Sequence, residues 1–273
     1  MIRTDQSHLY VAAKTHPGLS GKNNEDNYAV SAYLISKMNP TPSVFAVVSD
    51  GIGGHRAGEV ASELAVNLLS QAVEKREGGH PLAVFQNSFY RTSESIYTRA
   101  ESNSAYKGMG ATVACAWVIG FQLYIAYAGD SRIYLARRNQ ILQISRDHTW
   151  VQEALERGVI DRSRLKNHPN LHVIRRYLGS PQPPEPDLRL FLTGAETDAQ
   201  AKANQGLLLE PGDVVLLCSD GLTDLVSNAE IGAALSGRTL PQAAETLVAL
   251  ANERGGHDNI TVVLLGVPAG PKP

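Results

Sequence analysis

An α+β fold with antiparallel strands is what the sequence predicts, on three observations. Apolar, β-branched segments at 29–33 and 44–49 stand ahead of any helix, and two long helical periods follow with no strand between them. Four short strands then recur within 111–145, separated by polar or glycine turns rather than by helices.

Taken in order, the first two strands are parted by a proline-containing turn at 39–42. Apolar residues then fall at Ala57, Val60, Ala61, Leu64, Ala65, Leu68, Leu69, Ala72 and Val73, the period of a helix with one buried stripe. Gly78-Gly79 ends it, and Pro81 opens a second helix that turns Leu82, Phe85, Phe89 and Ile96 inward. Strands at 111–118, 122–128, 132–136 and 141–145 form a meander, the last pair joined by a polar turn at 137–139. The apolar run 112–129 has the length of a membrane span, but Gly120 and Gln122 interrupt it and two strands meeting near Gly120 explain it. A short helix near 149–157 lies within an irregular segment, 147–187, that carries "SPQPPEPD"; such a segment inside a compact domain points to function. Residues 193–205 read as a polar surface loop. Strands at 206–209 and 214–218, a helix capped by Ser227 with Glu230 three residues on, a helix from Leu240 and a strand at 260–265 complete the chain.

Composition bounds the function. With 273 residues, 43% hydrophobic and 19% charged, the chain is globular and long enough for a substantial core. A net charge of -2 argues against a nucleic-acid partner. The start "MIRTDQSHLY" lacks the apolar stretch of a signal peptide, and Cys115 and Cys218 each lie in an apolar strand as buried thiols, so a cytoplasmic protein with no membrane association is expected.

The chemistry concentrates at strand ends. "VFAVVSDGIGGH" at 44–55 and "VVLLCSDG" at 214–221 both run an apolar strand into Ser-Asp-Gly. One Asp-Gly is a common turn, but Glu25-Asp26, Asp50-Gly51, Asp130, Asp220-Gly221 and Asp258-Asn259 all flank apolar strands, and a layered sheet would bring them to one rim. Converging carboxylates repel unless a cation neutralises them, and oxygen donors without clustered Cys or His select Mg²⁺ or Mn²⁺. Two such ions can share a carboxylate and a water and clamp a phosphoryl group. Glycine after Asp50 lets the backbone offer a carbonyl at close range.

The ordered set "NNEDN", "VVSDGIGGHRAGEVAS", "GMGATV", "YAGDSRIYL", "RDHTWVQEALERGVI", "LLCSDGLTDLVS" and "GGHDNITVVLL" resembles the bacterial metal-dependent Ser/Thr protein phosphatases of type 2C, the PPM family. The resemblance implies a single domain at 8–267 with terminal tails 1–7 and 268–273, built as a central β-sandwich of two antiparallel sheets flanked by α-helices, with 147–187 as a flap beside the active site. It implies two or three Mn²⁺ or Mg²⁺ ions: Asp50 bridging two of them, Gly51 giving a carbonyl, Asp220 and Asp258 on the second, and Asp130 helping to hold a weaker third. Asp26 would bind metal-coordinated water, with Glu25 beside it. Ser131 and Arg132 would be structural.

Two positions depart from the family pattern. Where many members carry a phosphate-clamping arginine, this chain has Gly21 followed by Lys22, which offers a point charge but no bidentate fork. The histidine that some members place two residues after the bridging aspartate is Ile52, leaving His55 as proton donor to the leaving group. His148, His168 and His172, inside 147–187, read as surface residues. The resulting expectation is a monomeric enzyme that hydrolyses phosphoserine and phosphothreonine in the protein substrates of Ser/Thr kinases, by direct attack of a metal-bridged water or hydroxide. The rival is the same fold kept as a catalytically weak phosphoprotein-binding module, supported only by the missing arginine. A receiver-type phosphoacceptor is disfavoured by the meander.

Overall fold

The computed structural model describes residues 1–53, 56–75, 80–161 and 168–269, with Arg56 described by its backbone alone. In chain order its elements are β1 (Ile2–Thr4), β2 (Tyr10–His16), β3 (Asn27–Leu34), β4 (Pro42–Ser49), β5 (Gly51–Ile52), α1 (Arg56–Glu74), α2 (Pro81–Ser102), β6 (Gly110–Ala111), β7 (Val113–Ile119) and β8 (Gln122–Ala128). There follow β9 (Arg132–Arg137), β10 (Gln140–Gln143), α3 (Trp150–Glu156), α4 (Asp198–Ala203), β11 (Leu207–Leu208), β12 (Val214–Cys218), α5 (Asp220–Thr223), α6 (Asn228–Leu235), α7 (Leu240–Glu253) and β13 (Ile260–Gly266).

Two antiparallel sheets face each other, one ordered β1-β3-β4-β7-β8-β11 and the other β10-β9-β12-β13-β2. The central strands read as continuous apolar runs because both of their faces are covered. In β4, Val44, Ala46 and Val48 point into the sandwich while Phe45 and Val47 point at α1 and α2; in β12, Val215 and Leu217 point inward while Leu216 and Cys218 meet α6 and α7. Three buried layers between four structural layers result, as the family resemblance implies. Ala61, Ala65 and Leu69 of α1 lie in the same cluster as Phe85, Phe89 and Ile96 of α2, matching the predicted stripes.

The meander proves to be two hairpins in different sheets. β7 and β8 turn through Gly120 in the first sheet, whereas β9 and β10 belong to the second and turn through Arg138 and Asn139 at φ 51° and 64°, the left-handed pair of a type I′ hairpin. Between them only Gly129, Asp130 and Ser131 carry the chain across. Residues 193–205 are not wholly loop: Thr197 and Gln200 form a capping box that starts α4, a signal present in the sequence but set among small polar residues. The edge strand β2 and the three-residue β1, which pairs with β3 inside the expected tail, have no clean apolar alternation to betray them.

Leu217 is fully buried between the sheets and Leu208 is 64% exposed at an edge. Leu217→Ala should therefore cost about 2–5 kcal/mol in urea unfolding and Leu208→Ala less than about 0.5 kcal/mol. Equal losses would mean that the sandwich interior is not the stabilising core.

Candidate active site

Antiparallel register decides which loops share a rim. Asn27 pairs with Ser49, so Asp26 before β3 lies beside Asp50 after β4; Val48 pairs with Ala114 and Val113 with Ala128, which brings Thr112 and Gly129 alongside. In the second sheet Arg132 and Val262 both pair with Cys218, placing Asp130, Asp220 and Asp258 at one end. Two of the crossings between the sheets, 17–26 and 129–131, run over this same end. Five aspartates from both sheets thus meet on one rim.

Their neighbours hold this loop cluster, and no lysine or arginine among the described residues is hydrogen-bonded to the five carboxylates. The Asp50 N–H donates to Thr112 Oγ1 at 3.1 Å, and the Thr112 N–H donates to the Asp50 carbonyl at 2.9 Å. Asp26 is 7% exposed, and its Oδ2 accepts from Ser219 Oγ at 2.6 Å. Asn259 pins the 17–26 loop: its Oδ1 accepts the Glu25 N–H at 2.6 Å and its Nδ2 donates to the carbonyls of Pro17 and Asn23, both at 3.1 Å. Ser62 Oγ of α1 donates to the Glu25 carbonyl at 2.6 Å. Gly58 lets α1 approach: a Cβ there would stand 2.2 Å from Glu25 Oε2 and 2.9 Å from the Gly51 carbonyl oxygen. Asp220 opens α5, and Asp258 Oδ1 accepts the Asn259 N–H at 2.9 Å.

The electrostatic consequence is large. Burial, with repulsion from Asp220 and Asp258, raises Asp26 to about 7 against the relief of its hydroxyl donors. Burial, then Asp26, Asp220 and Asp130, raises Asp50 well above the carboxylate range, and the Asp50 and Asp220 carboxyls lie within hydrogen-bonding reach of each other. Asp130 and Asp220 rise for the same first reason, burial, and then through repulsion from Asp220 on Asp130 and from Asp258 on Asp220. Asp26 Oδ1, Asp130 Oδ1 and Asp220 Oδ1 are buried without a hydrogen-bond partner. Three orphaned carboxylate oxygens from three loops, with oxygen as the donor type, fit hard divalent cations.

A cleft of ≈ 590 Å³ is lined by Asp130, Asp220 and Asp224 together with Thr149, Val151 and His172. His172 and Asp224 lie with Asp220 so that one ligand atom from each falls within 4.8 Å of the others. Lys22 is exposed, and Gly21 before it has φ +74° with open space where a Cβ would sit. His55 lies outside the described residues. His148, expected at the surface, is instead 7% exposed behind the rim. Thr112, Asn259, Gly58 and Asp224 escaped the sequence reading as individuals; each lies inside or beside a quoted motif, which was the only signal available.

The protein phosphatase 2C family model matches residues 19–158. The chain is 35% identical over 262 residues to the serine/threonine phosphatase stp of Listeria innocua, covering 94% of this chain and 95% of that one. It superposes on the Streptococcus agalactiae serine/threonine phosphatase with a TM-score of 0.82 and 31% identity, over 95% of this chain and 99% of the other. On the catalytic domain of the serine/threonine protein phosphatase PstP in complex with two manganese ions the TM-score is 0.76 at 32% identity, over 94% and 97%. With a family model covering more than half of its length and relatives matched almost end to end, this chain belongs to the protein phosphatase 2C family.

Proposed function

We propose that this phosphatase hydrolyses phosphoserine and phosphothreonine in protein substrates with the help of Mn²⁺ or Mg²⁺ held by the rim. The observation that carries the reading is the set of orphaned oxygens on Asp26, Asp130 and Asp220 beside Asp50, a cluster to which no lysine or arginine among the described residues is hydrogen-bonded. The Arg132 guanidinium acts on Asp130 and Asp220 from a distance, while its hydrogen bonds go to Asp147 and Tyr134. The manganese-bound relative supports the choice of ion.

Bound ions would supply an attacking water at neutral pH and neutralise the phosphoryl oxygens. The residues of the chain prepare the place. Asp50, which feels Asp26, Asp220 and Asp130, would hold the ions together with Asp220, Asp258 and Asp130, and Gly51 would offer its carbonyl, which lies beside Glu25. Asp26, fixed through Oδ2 by Ser219, keeps Oδ1 free of protein partners to orient water. His55, three residues beyond Ile52, keeps the part of proton donor to the leaving oxygen, and Lys22 that of a point charge toward the phosphate. We read 8–267 as the phosphatase domain and 147–187 as the flap that walls the cleft, an assignment supported by the position of Thr149, Val151 and His172. Two buried free thiols, Cys115 and Cys218, accord with a reducing cytoplasm. No helix of the described residues is long and apolar enough to cross a membrane. The rival binding-module reading has no such support, since a module without turnover would not retain this unbalanced cluster.

The direct test is phosphate release from a phosphothreonine peptide, expected with Mn²⁺ and lost with chelator. Asp50→Asn should abolish both turnover and tight Mn²⁺ binding by calorimetry while the protein stays folded. Retained metal binding in that variant would refute the site.

The same substitution should stabilise the metal-free protein. A carboxyl whose folded pKa is raised above its unfolded value of about 3.9 loses stability as pH climbs from the unfolded value through the folded one. With Asp26 at about 7 and Asp50 raised with it, the Tm advantage of Asp50→Asn over wild type, both in chelator, should grow from pH 5 to pH 7.5. Saturating Mn²⁺ should reverse the order of the two. A pH-independent difference would mean that the carboxylates are not mutually strained.

The departure at Gly21 yields a kinetic prediction. A charge-assisted contact is worth about 1.5–3 kcal/mol, so Gly21→Arg should lower KM for small phosphate esters with little change in kcat, and Lys22→Ala should raise KM. The left-handed backbone at Gly21 costs an arginine about 1–2 kcal/mol of stability, and the open space around it leaves the fold intact. Unchanged kinetics in both variants would place this loop out of reach of the phosphate.

A further inference from the structure

The crossing between the sheets is held at every residue but one. The Gly129 N–H donates to His148 Nδ1 at 3.1 Å, and the Gly129 carbonyl accepts the His148 N–H at 2.9 Å. Ser131 Oγ meets Thr112 Oγ1 at 2.7 Å. Arg132 sets Nε on the Asp147 carboxylate at 3.0 and 2.9 Å and a terminal nitrogen at 2.6 Å, and the Ile133 N–H donates to Ser145 Oγ at 2.9 Å. Asp130, in the middle, keeps Oδ1 buried and unpartnered. The two residues that grip its flanks, Asp147 and His148, are adjacent in sequence and begin the 147–187 segment.

His148 is fixed as well as buried. Its ring stacks on Tyr127, with centroids 5.4 Å apart and planes inclined by 14°. Because Nδ1 accepts a backbone N–H, the ring proton resides on Nε2, which donates to Asp187 Oδ2 at 3.0 Å. Asp187 is held by Arg189 and pairs backbone to backbone with Tyr127, so the far end of the segment returns to the same point. Gly129 needs such a hold. At φ +108°, with a would-be Cβ 2.6 Å from Thr112 Cβ, it is a tight turn built on the residue with the most backbone freedom. A cation site tolerates roughly 0.5 Å and 10–20° of error in its ligands.

We propose that His148, kept in its Nε2–H tautomer by Asp187, is a positioning residue that aims Asp130 through Gly129, so that the bond from the Gly129 N–H to Nδ1 sets the affinity for the cation at Asp130. The proposal rests on the reading above in which Asp130 holds a weaker, third ion.

Two isosteric substitutions separate the two edges of the ring. His148→Asn places a carbonyl oxygen where Nδ1 lies, keeping the acceptor for Gly129 and giving up Asp187. His148→Gln places an amide N–H near Nε2, keeping Asp187 and removing the acceptor. Mn²⁺ binding to the full chain is followed by the electron paramagnetic resonance of free Mn²⁺ and by calorimetry. Wild type should show two tight sites and one weaker. His148→Gln should keep the tight pair and lose about tenfold in affinity at the weaker site, the worth of one positioned hydrogen bond; His148→Asn should stay within about threefold of wild type. Equal losses in both variants, or an unaltered weaker site in His148→Gln, would overturn the proposal. A wild type with two sites only would overturn the reading of Asp130 and the proposal with it, whereas a wild type with no sites would defeat the metal assignment as a whole. Nitrogen-15 shifts of His148 in the wild-type protein need no variant: a protonated Nδ1 at pH 7 would overturn the proposal even if His148→Gln failed to fold.

Discussion

Carboxylates that are buried together, with no lysine or arginine among the described residues hydrogen-bonded to them, set the terms for the rest of this molecule. Burial raises Asp26, Asp50, Asp130 and Asp220, and repulsion from a neighbouring carboxylate raises each further. Left to relax, the loops would splay them into water. The fold prevents that by ending strands of both sheets at one rim and by tying the intervening backbone with Thr112, Ser219 and Asn259. Stability is given up locally so that divalent ions, when bound, find their ligands already assembled.

The division of labour among polar groups follows from that constraint. Hydrogen bonds around the rim are almost all made by neighbours of the acidic residues: Asn259 beside Asp258, Ser219 beside Asp220, Ser131 and Arg132 beside Asp130. Apart from the bonds of Ser219 to Asp26 and of the Asn259 N–H to Asp258, they fix position without using the carboxylate oxygens. A direct lysine or arginine partner would have lowered the repulsion and occupied the oxygens as well. Backbone-directed and neighbour-directed support is therefore the arrangement that leaves a metal site competent.

Much of this was legible in the sequence because the strands leading to the rim are buried on both faces. Val44 to Val48 and Val214 to Cys218 read as unbroken apolar runs, so the Ser-Asp-Gly after each stood out by contrast. What stayed hidden was long-range. That β8 and β9 belong to different sheets depends on three residues whose local pattern is an ordinary turn. His148 looked like a surface residue because its surroundings in sequence are polar and irregular; its burial comes from Tyr127 and Asp187, 21 and 39 residues away. β2 has one fully buried residue, Ala12, and edge strands of that kind carry little periodicity.

Under the proposed function, Gly21 followed by Lys22 shifts the weight of substrate recognition. An exposed lysine on a flexible stem loses rotamer entropy on binding and offers no fixed fork, so it contributes little that distinguishes one phosphoester from another. Discrimination must then come from the polypeptide around the phosphoresidue, and the surface available to it is the wall of the cleft. Thr149, Val151, Leu171 and His172 supply one side of that wall, all from the segment whose ends are fastened by Asp147, His148 and Asp187. The side chains that fasten this wall are thus the ones that flank Asp130. If Asp130 holds an ion as proposed, a substitution there would act on two properties at once, the geometry of a cation ligand and the shape met by the substrate chain, which is why the two edges of the His148 ring have to be altered separately to tell them apart.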